Sequence, residues 1–417
     1  MQPKPSLLIL NLYMVYPPNS GAKVVIYNRI VELSKYFRVT FCCVYENADD
    51  SAAAAHLREF ADVVVAKGAL PQRSPFRQAW EYLCNPCATG FGDQLAAWVA
   101  SPDVHRLLGA EPFDIVELHS SCWYHRSMHT GSAVRVLVLH NDEREYYRER
   151  ARVAWRRNGL RAGGSAALDA ALVSWQQHRA IQAFDALVSL FPPSARWAQR
   201  GGMKPMLHNW GGIDCAHYRA VTSRGEPVAA PRHGATLVFI AALFVEGAVD
   251  AAARFAAEAL PVVADAFPGS RFLLVGDHRG NPIIQRLVVQ HQDVEATGLV
   301  PDVRPYLEAA DVAVVPIVHG SGIRYKIMEA MAAGKAIVST EKGAEGLGLR
   351  HGDALLLAKS VRDMGPLVVE LLRNAAKRRA LEHRARAVAW EKFDRVAGYR
   401  QLAEWYLALL QQGRRSS

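Results

Sequence analysis

Residues His319–Gly346 read HGSGIRYKIMEAMAAGKAIVSTEKGAEG, a glycine-containing loop followed at once by a helical pattern and a short apolar run. The apolar run Val312–Ile317 just before it is typical of a buried strand, so the stretch predicts a strand, a loop, a helix and a second strand. We expect the helix to begin near Ile323. Cations in the first turn of a helix are unfavourable unless an anion lies nearby, so Arg324 and Lys326 indicate a phosphate-binding loop. A solvated helix start with two surface cations explains the loop about as well.

Apolar strand-like runs alternate with helical patterns on both sides of this stretch. Such alternation predicts parallel sheets with helical crossovers. The segment 222–235 (TSRGEPVAAPRHGA) has several glycine and proline breaks and no periodicity, which is typical of a domain boundary. We therefore predict an α/β protein with two Rossmann-like, doubly wound domains that face a cleft. The predicted domains are residues 1–222, residues 223–390 and a C-terminal helix, residues 391–417, that crosses back toward the first domain.

The helical patterns also predict where individual helices begin and break. The stretch Glu143–Phe184 is expected to be helical with a break at Gly163-Gly164. A single helix is expected over Val249–Ala266, and another over Ile323–Ala333. In parallel sheets ligands bind outside the carboxyl ends of the strands, so the residues at those ends are the candidates for function.

Composition excludes several classes of protein. The chain has 417 residues and is 50% hydrophobic, which is ample for globular domains. A net charge of +9 favours anionic substrates, an acidic membrane surface or nucleic acid. No basic platform is interleaved with aromatic residues, so no nucleic-acid partner is expected. The basic clusters Arg144–Arg161 and Lys377–Arg386 leave attachment to an anionic membrane open.

Six cysteines form no recognisable disulfide framework. The N-terminal apolar run is too short for a signal peptide, and no later run is long enough to span a membrane. We predict a cytoplasmic protein, with peripheral attachment to the inner membrane as an open alternative. No Asp-x-Asp pair and no cluster with metal-ligand spacing occurs, so neither a metal nor a cofactor is predicted.

Glu329 lies two turns after the glycine loop, where a carboxylate can reach the hydroxyl groups of a bound sugar or ribose. A surface glutamate paired with Lys326 or Lys335 is the alternative. Gly276-Asp277 closes the strand RFLLVGD, and Leu299-Val300 ends the next strand. Both pairs are expected at the same edge of the sheet, although simple turn chemistry also explains Asp277.

His119 and His140 each end an apolar strand in the first half of the chain. A histidine at that edge can bind a ligand or transfer protons, whereas a lone histidine is more often structural. Asn141 follows His140 directly. Ser20-Gly21 lies in a permissive loop before a predicted helix, which can meet an anion or form an ordinary turn.

These residues stand in motifs that resemble glycosyltransferase family 4, the group 1 glycosyltransferases, which have the two-domain GT-B fold. The most specific motif is GSGIRYKIMEAMAAGKAIVSTEKGAEGL, similar to the donor-site loop and helix of that family. Further similar segments are TGLVPDVRPYLEAADVAVVPI, LHNWGGIDCAHY, LVLHNDEREYYRERA and the opening YPPNSGAKVVIYNRIVELSKYFRVT. The resemblance covers nearly the whole chain and is strongest from Leu237 to Ala358.

The resemblance implies roles for individual residues. Glu329 would bind the ribose of a nucleotide-sugar donor, and His119 would lie beside the transferred sugar; these two would be catalytic. His140 and Asn141 would lie on the acceptor side. The donor-binding set would comprise Ser20, Gly21, Gly276, Asp277, Leu299, Val300, Ser321, Gly322, Ile323, Arg324, Lys326 and Glu329.

The chain departs from the family pattern at two places. Many relatives have a glutamate eight positions before the helix glutamate, where this chain has Ser321. The basic pair that follows the first strand of the second domain in many relatives is absent, because Ala241–Gly247 reads AALFVEG. Arg324 and Lys326 are expected to replace that pair, and the identity of the donor sugar stays open.

The resulting prediction is a retaining, metal-independent glycosyltransferase that takes a sugar from a nucleotide-sugar donor. The expected acceptor is a glycan or lipid-linked saccharide in bacterial surface polysaccharide synthesis. Alternatives are a nucleotide-sugar epimerase or a phosphorylase on the same fold. A non-catalytic scaffold that binds nucleotide sugar or glycan is a third, and Ser321 favours it.

Overall fold

The protein is described from a computed structural model, which covers residues 3–18, 21–44, 50–66, 101–110, 112–121, 124, 131, 133–191, 204–219, 234–320 and 325–416. Contacts divide the chain into a first unit, residues 1–211 with 396–417, and a second unit, residues 212–395. Among the predicted donor-site residues, five lie outside the described residues: Ser20, Ser321, Gly322, Ile323 and Arg324.

Within the described residues, the first unit is built on a parallel seven-stranded sheet with the order β3-β2-β1-β4-β5-β6-β7. Strands β1, β4 and β6 are buried along their whole length, because helices cover both faces of a parallel sheet. The strand order reverses between β1 and β4, where such sheets open a crevice at the carboxyl ends. The strands are β1 (Ser6–Leu10), β2 (Arg38–Val44), β3 (Asp62–Ala66), β4 (Ile115–His119), β5 (Val134–Leu139), β6 (Ala186–Ser189) and β7 (Met206–His208).

The helices of the first unit include one long element with a kink. The predicted break at Gly163-Gly164 is wrong, because the non-helical residue is Gly159, with φ 77° and ψ −173°. Gly163 stays helical, and a Cβ there would lie 2.4 Å from the Trp155 ring, so its missing side chain makes room for that ring. The helices are α1 (Gly21–Leu33), α2 (Asp50–Leu57), α3 (Pro102–Ala110), α4 (Glu143–Ala183) and, after the second unit, α13 (Arg395–Ser416).

The second unit has a parallel six-stranded sheet with the order β10-β9-β8-β11-β12-β13 in the described part of the chain. Its buried core is formed where this sheet packs against three helices, α6 (Glu246–Glu258), α7 (Leu260–Ala266) and α11 (Met364–Arg373). The strands are β8 (Thr236–Ile240), β9 (Arg271–Val275), β10 (Val294–Gly298), β11 (Val312–Val315), β12 (Ile337–Thr340) and β13 (Leu356–Ala358). The predicted α/β class with two parallel sheets is confirmed.

The single helix predicted over Val249–Ala266 is two helices that meet at Ala259. Pro261 has no amide hydrogen, so it fits the first turn of a new helix better than the interior of a long one. The helices of this unit are α5 (Cys215–Arg219), α6 (Glu246–Glu258), α7 (Leu260–Ala266), α8 (Pro282–Gln290), α9 (Arg304–Ala309), α10 (Tyr325–Ala332), α11 (Met364–Arg373) and α12 (Ala375–Lys392). No helix in the described residues is both long and apolar enough to cross a membrane.

Candidate functional site

Glu329 is a buried carboxylate on helix α10, with only 4% of its surface exposed. The Lys326 ammonium group, one turn earlier, lies 2.8 Å from Glu329 Oε2. The Tyr218 hydroxyl also hydrogen-bonds to this carboxylate. A buried charge needs such partners, because its desolvation would otherwise cost several kcal/mol. The pairing with Lys326 that the sequence left open is therefore present in this structure.

Tyr218 reaches Glu329 from the short helix α5. Burial and the nearby Glu329 carboxylate raise the pKa of the Tyr218 phenol above its usual range, so the phenol keeps its hydrogen and donates it. The Arg304 guanidinium pairs with Asp302 at 2.7 Å and donates to the His217 carbonyl at 3.2 Å. These contacts fix α5 beside α10.

Lys335, the other lysine predicted as a possible partner of Glu329, hydrogen-bonds to backbone carbonyl oxygens instead. Its ammonium group donates to the carbonyl oxygens of Glu308 and Ala310, each at 2.9 Å. Burial lowers the pKa of this ammonium group. Lys335 thus ties the segment after α10 to the end of α9.

The loops that leave three neighbouring strands of the second unit meet at the carboxyl edge. A Cβ added to Gly247, in the first turn of α6, would lie 3.6 Å from the His319 carbonyl oxygen. The Thr340 hydroxyl donates to the Ile317 carbonyl and accepts from the Gly343 amide at 2.8 Å. The predicted phosphate-binding loop therefore begins between the loops that follow β8 and β12.

Gly276 lies at the same edge with φ 138°, a conformation that residues with a side chain rarely adopt. Its amide donates to the Gly298 carbonyl at 3.2 Å, and the Ala241 amide donates to the Val275 carbonyl at 3.0 Å. A Cβ on Gly276 would lie 2.0 Å from the Ala241 carbonyl oxygen. The ends of β8, β9 and β10 approach this closely only because Gly276 has no side chain.

Asp277 is held by Arg279, a neighbour that is not among the predicted site residues. Arg279 donates from its backbone amide to Asp277 Oδ1 at 2.9 Å and from Nε to Oδ2 at 3.2 Å. The guanidinium carbon lies 3.9 Å from the centre of the Phe244 ring, a cation–π contact. Phe244 belongs to the AALFVEG loop, where the expected basic pair is absent, so Arg279 brings a cation to that loop.

Leu299 and Val300 follow β10. The Leu299 side chain is 70% exposed, while Val300 is half-buried. A large apolar side chain exposed to this extent at a sheet edge is available to pack against a ligand.

In the first unit, His119 and His140 are brought together as the sequence suggested. His119 Nδ1 lies 2.9 Å from His140 Nε2, and His119 Nε2 lies 3.2 Å from Glu117 Oε2. His119 is 1% exposed, whereas His140 is half-buried. Both ring nitrogens of His119 are therefore engaged within the protein.

Glu117 is the centre of a buried charge network. The Arg29 Nε atom lies 2.8 Å from Glu117 Oε2, and both side chains are completely buried. The Tyr406 hydroxyl, on α13, donates to Glu117 Oε1 and accepts from Arg29 Nη2 at 3.0 Å. Burial alone would raise the pKa of the Glu117 carboxyl, but Arg29, His119 and Tyr406 outweigh burial and lower it.

A second buried carboxylate, Glu143, lies at the start of α4. It accepts hydrogen bonds from the hydroxyls of Ser120 and Ser121, at 3.0 Å and 3.2 Å, and from Gln177 Nε2 at 2.7 Å. Ser120 has φ 76°, an unfavourable conformation for a residue with a side chain. Burial raises the pKa of the Glu143 carboxyl to about 7.

Glu143→Gln should reduce the pH dependence of stability between about pH 4.5 and 7. The folded protein keeps a proton on Glu143 that the unfolded chain releases above its ordinary pKa of 4.5. This contribution to stability is complete below that pKa and is lost as the pH rises through 7. We expect wild type to lose on the order of 3 kcal/mol relative to the variant from pH 5 to pH 8 in denaturant titrations.

Glu145→Gln, which removes an exposed carboxylate from the same helix, is the matched control. A Glu143→Gln profile parallel to that of wild type would show that Glu143 titrates at an ordinary pKa in the folded protein.

Two other predicted residues lie at the same edge of the first unit. Gly21 is the exposed first residue of α1. Asn141 lies between His140 and Asp142, and Asp142 Oδ1 caps α4 by accepting from the Glu145 amide at 3.2 Å. Within the part of the chain that the structure describes, neither has a contact that defines a role.

Several residues that build these clusters are missing from the predicted site residues, among them Arg29, Glu117, Glu143, Tyr218, Arg279 and Tyr406. Glu117 carries a signal in the sequence, since it is an acidic residue within the largely apolar strand pattern IVELH. Tyr218 is part of the quoted motif LHNWGGIDCAHY but has no distinguishing pattern of its own.

Part of the second unit is similar to a known protein family. Residues 234–374 match the family model described as Glycosyl transferases group 1. No curated protein sequence matches the chain. Among solved structures, HepE from Anabaena in complex with UDP is 15% identical over 97% of this chain and 100% of its own, with a TM-score of 0.63. Sucrose-phosphate synthase from Thermosynechococcus elongatus is 13% identical over 98% and 100% of the two chains, with a TM-score of 0.66.

TarM is 10% identical over 97% of this chain and 98% of its own, with a TM-score of 0.66. Identities this low establish the fold alone, while the family match covers Glu329 and Gly276 together. The chain therefore has the GT-B fold of these proteins, and residues 234–374 of its second unit are similar to the group 1 glycosyl transferases.

Proposed function

We propose that this protein is a glycosyltransferase that moves a sugar from a nucleotide diphosphate sugar to a glycan or lipid-linked saccharide. The family match and the fold support glycosyl transfer. Retention of configuration, independence of metal and a role in bacterial surface polysaccharide synthesis are proposed from the sequence resemblance alone, as is membership of family 4.

The observation that carries the proposal is the buried Glu329 carboxylate. It lies on the helix that follows the glycine loop, and Tyr218 and Lys326 hold it in place. The Lys326 side chain is 42% exposed, so its ammonium group can turn toward a diphosphate while Glu329 accepts a hydrogen bond from a ribose hydroxyl. Arg279, exposed on the Phe244 ring, offers a further cation at this edge.

The nucleotide is proposed by analogy. HepE has been solved with UDP, with UDP and glucose, and with UDP-glucose. We propose that the second unit of this chain also takes a nucleoside diphosphate and its sugar, with Leu299 and Val300 beside the base.

Glu329→Ala should weaken nucleotide binding about 10- to 100-fold, because a hydrogen bond to a charged carboxylate contributes roughly 1.5–3 kcal/mol. Calorimetric titration and thermal shift with UDP, GDP, ADP, CMP and dTDP and their sugars would measure the loss and identify the base. Glu370→Ala is the matched control, because that carboxylate also pairs with a lysine, Lys377, at 2.6 Å.

If Glu329→Ala and Glu370→Ala bind the nucleotide equally well, Glu329 is not part of the donor site. Binding of none of the five nucleotides by wild type would refute the proposed donor site and leave the scaffold alternative. Conversion of a bound nucleotide sugar without any acceptor would favour the epimerase.

We also propose that the basic part of α4 attaches the protein to an anionic membrane surface. Arg148, Arg150 and Arg152 are exposed, and the Trp155 side chain nearby is 45% exposed. Basic and aromatic side chains on one helical segment are typical of a surface that rests on anionic headgroups.

Reversing the charge of Arg148 and Arg152 to glutamate should reduce co-sedimentation with phosphatidylglycerol vesicles at least tenfold, since each basic residue contributes about 1 kcal/mol. Arg379→Glu, an exposed residue of the second basic cluster, is the control. Binding that persists in the double variant, or that is equal for phosphatidylcholine vesicles, would contradict this assignment.

A further inference from the structure

The turn that follows β9 holds the His278 ring in a fixed orientation. His278 Nδ1 accepts a hydrogen bond from the Gly280 amide at 3.1 Å, and the His278 carbonyl accepts from the Asn281 amide at 2.7 Å. Arg279 and Gly280 have φ values of 46° and 68°, in the left-handed region that residues with a side chain rarely adopt. This strained backbone at Arg279 brings the Gly280 amide to the ring.

The contact with Gly280 also decides which nitrogen of His278 carries the hydrogen. A ring nitrogen that accepts a hydrogen bond has no hydrogen of its own. Because Nδ1 accepts from the Gly280 amide, the ring is neutral and its hydrogen is on Nε2. Nε2 has no hydrogen-bond partner among the residues that the structure describes. His278 therefore offers one hydrogen-bond donor in a defined direction.

This donor lies beside the end of β10. A Cβ added to Gly298 would lie 4.0 Å from His278 Nε2. Gly298 directly precedes Leu299, whose side chain is 70% exposed. A polar donor and an exposed apolar side chain thus flank the same short segment of the sheet edge. A nucleobase needs both kinds of contact, because its faces are apolar while its rim is polar.

We infer that His278 selects the base of the nucleotide, with Nε2 donating its hydrogen to a carbonyl oxygen of that base. The inference rests on the proposed function, which places a base beside Leu299, and deepens it. Uracil and hypoxanthine carry a carbonyl oxygen where cytosine and adenine carry an amino group. An amino group opposite Nε2 would bring two donors together and leave both without an acceptor, which costs more than the absence of one bond. The site should therefore favour bases with a carbonyl group at this position.

Two pairs of nucleotides have the same sugar and phosphates and differ at this group of the base: UDP with CDP, and IDP with ADP. In the pair that binds more tightly, we expect wild type to bind the carbonyl member about 10-fold or more tightly than the amino member in calorimetric titration. His278→Asn removes Nε2 but keeps an acceptor for the Gly280 amide, just as Asn281 Oδ1 accepts from the Ile283 amide at 2.9 Å. The preference should then fall to about twofold or less.

His291→Asn is the matched control, because His291 is another half-buried histidine of the second unit, at the end of α8. It should keep the full preference. Equal binding within both nucleotide pairs, or a preference that His278→Asn retains, would overturn the inference while leaving the donor site in place. If wild type binds none of the four nucleotides, the proposed donor site is refuted and the inference with it.

A second measurement tests the orientation of His278 without any nucleotide. Nitrogen-15 NMR of histidine-labelled protein, with His278 assigned from the signals that His278→Asn lacks, reports which ring nitrogen carries the hydrogen. We expect Nε2. A hydrogen on Nδ1 would overturn the inference, because Nδ1 would then be unable to accept from the Gly280 amide. Since this is read on the free protein, a wrong ring orientation is distinguishable from a wrong donor site.

Discussion

Arg29→Ala should destabilise the first unit by about 3–5 kcal/mol, the cost of leaving a buried charge without its partner. Arg29 and Glu117 are both completely buried, and the guanidinium is the nearest cation to that carboxylate. Without it, Glu117 must either stay ionised in an apolar interior or take up a proton. Hydrogen exchange of the β1 and β4 amides reads the stability of this unit directly, which matters because a chain of two units need not unfold in one step.

The first unit also supplies a matched control. Arg135 pairs with Asp185 at 2.7 Å, but the two side chains are 42% and 44% exposed. Arg135→Ala should therefore cost at most about 1 kcal/mol. If the two variants lose equal stability, burial does not decide the strength of these ion pairs.

Removing both buried charges should reduce the stability of the first unit less than removing one of them. The pair Arg29→Met with Glu117→Leu leaves no uncompensated charge, so we expect it to be more stable than Arg29→Ala. The comparison belongs at pH 8, where wild-type Glu117 is ionised in both the folded and the unfolded chain. Its folded pKa is lowered, so its contribution to stability is present above the unfolded pKa and is lost as the pH falls through the folded one.

The strand pattern of the sequence predicts most of the sheet architecture, because a strand of a parallel sheet is buried on both faces and reads as a continuous apolar run. Strand β4 ends at His119, as the sequence predicts. The helix breaks are less predictable. Either Gly159 or Gly163 could interrupt α4 on local grounds; the break lies at Gly159, and Gly163, beside the Trp155 ring, stays helical.

The candidate clusters are only partly predictable, because some of their residues are far apart in the sequence. His119, His140, Gly276 and Glu329 stand at strand ends or after a glycine loop, so position in the sequence indicates them. Arg29 and Tyr406 lie on helices at opposite ends of the chain, 377 residues apart. The local sequence around each predicts only a residue of an amphipathic helix. Their contact with Glu117 forms only when the sheet folds.

Gly276→Ala should be among the most damaging single substitutions in the second unit, with a loss of about 4 kcal/mol or more. The new Cβ would lie 2.0 Å from the Ala241 carbonyl oxygen, which is backbone and cannot turn away as a side chain can. The ends of β8 and β9 would have to separate, which breaks the bond between the Ala241 amide and the Val275 carbonyl. Hydrogen exchange of the β8 and β9 amides measures the loss, and nucleotide titration shows whether binding disappears with it.

Gly348→Ala is the control that separates the steric clash at Gly276 from the conformational free energy that any residue with a side chain loses in a left-handed backbone. Gly348 has φ 63°, and a Cβ there would have no atom within 4 Å, so only the conformational cost of about 1–2 kcal/mol remains. A loss in Gly276→Ala no larger than in Gly348→Ala would mean that the strand ends have room to separate. If instead Gly276→Ala keeps the amides of β9 protected from exchange yet abolishes nucleotide binding, Gly276 acts by letting the ligand approach the backbone.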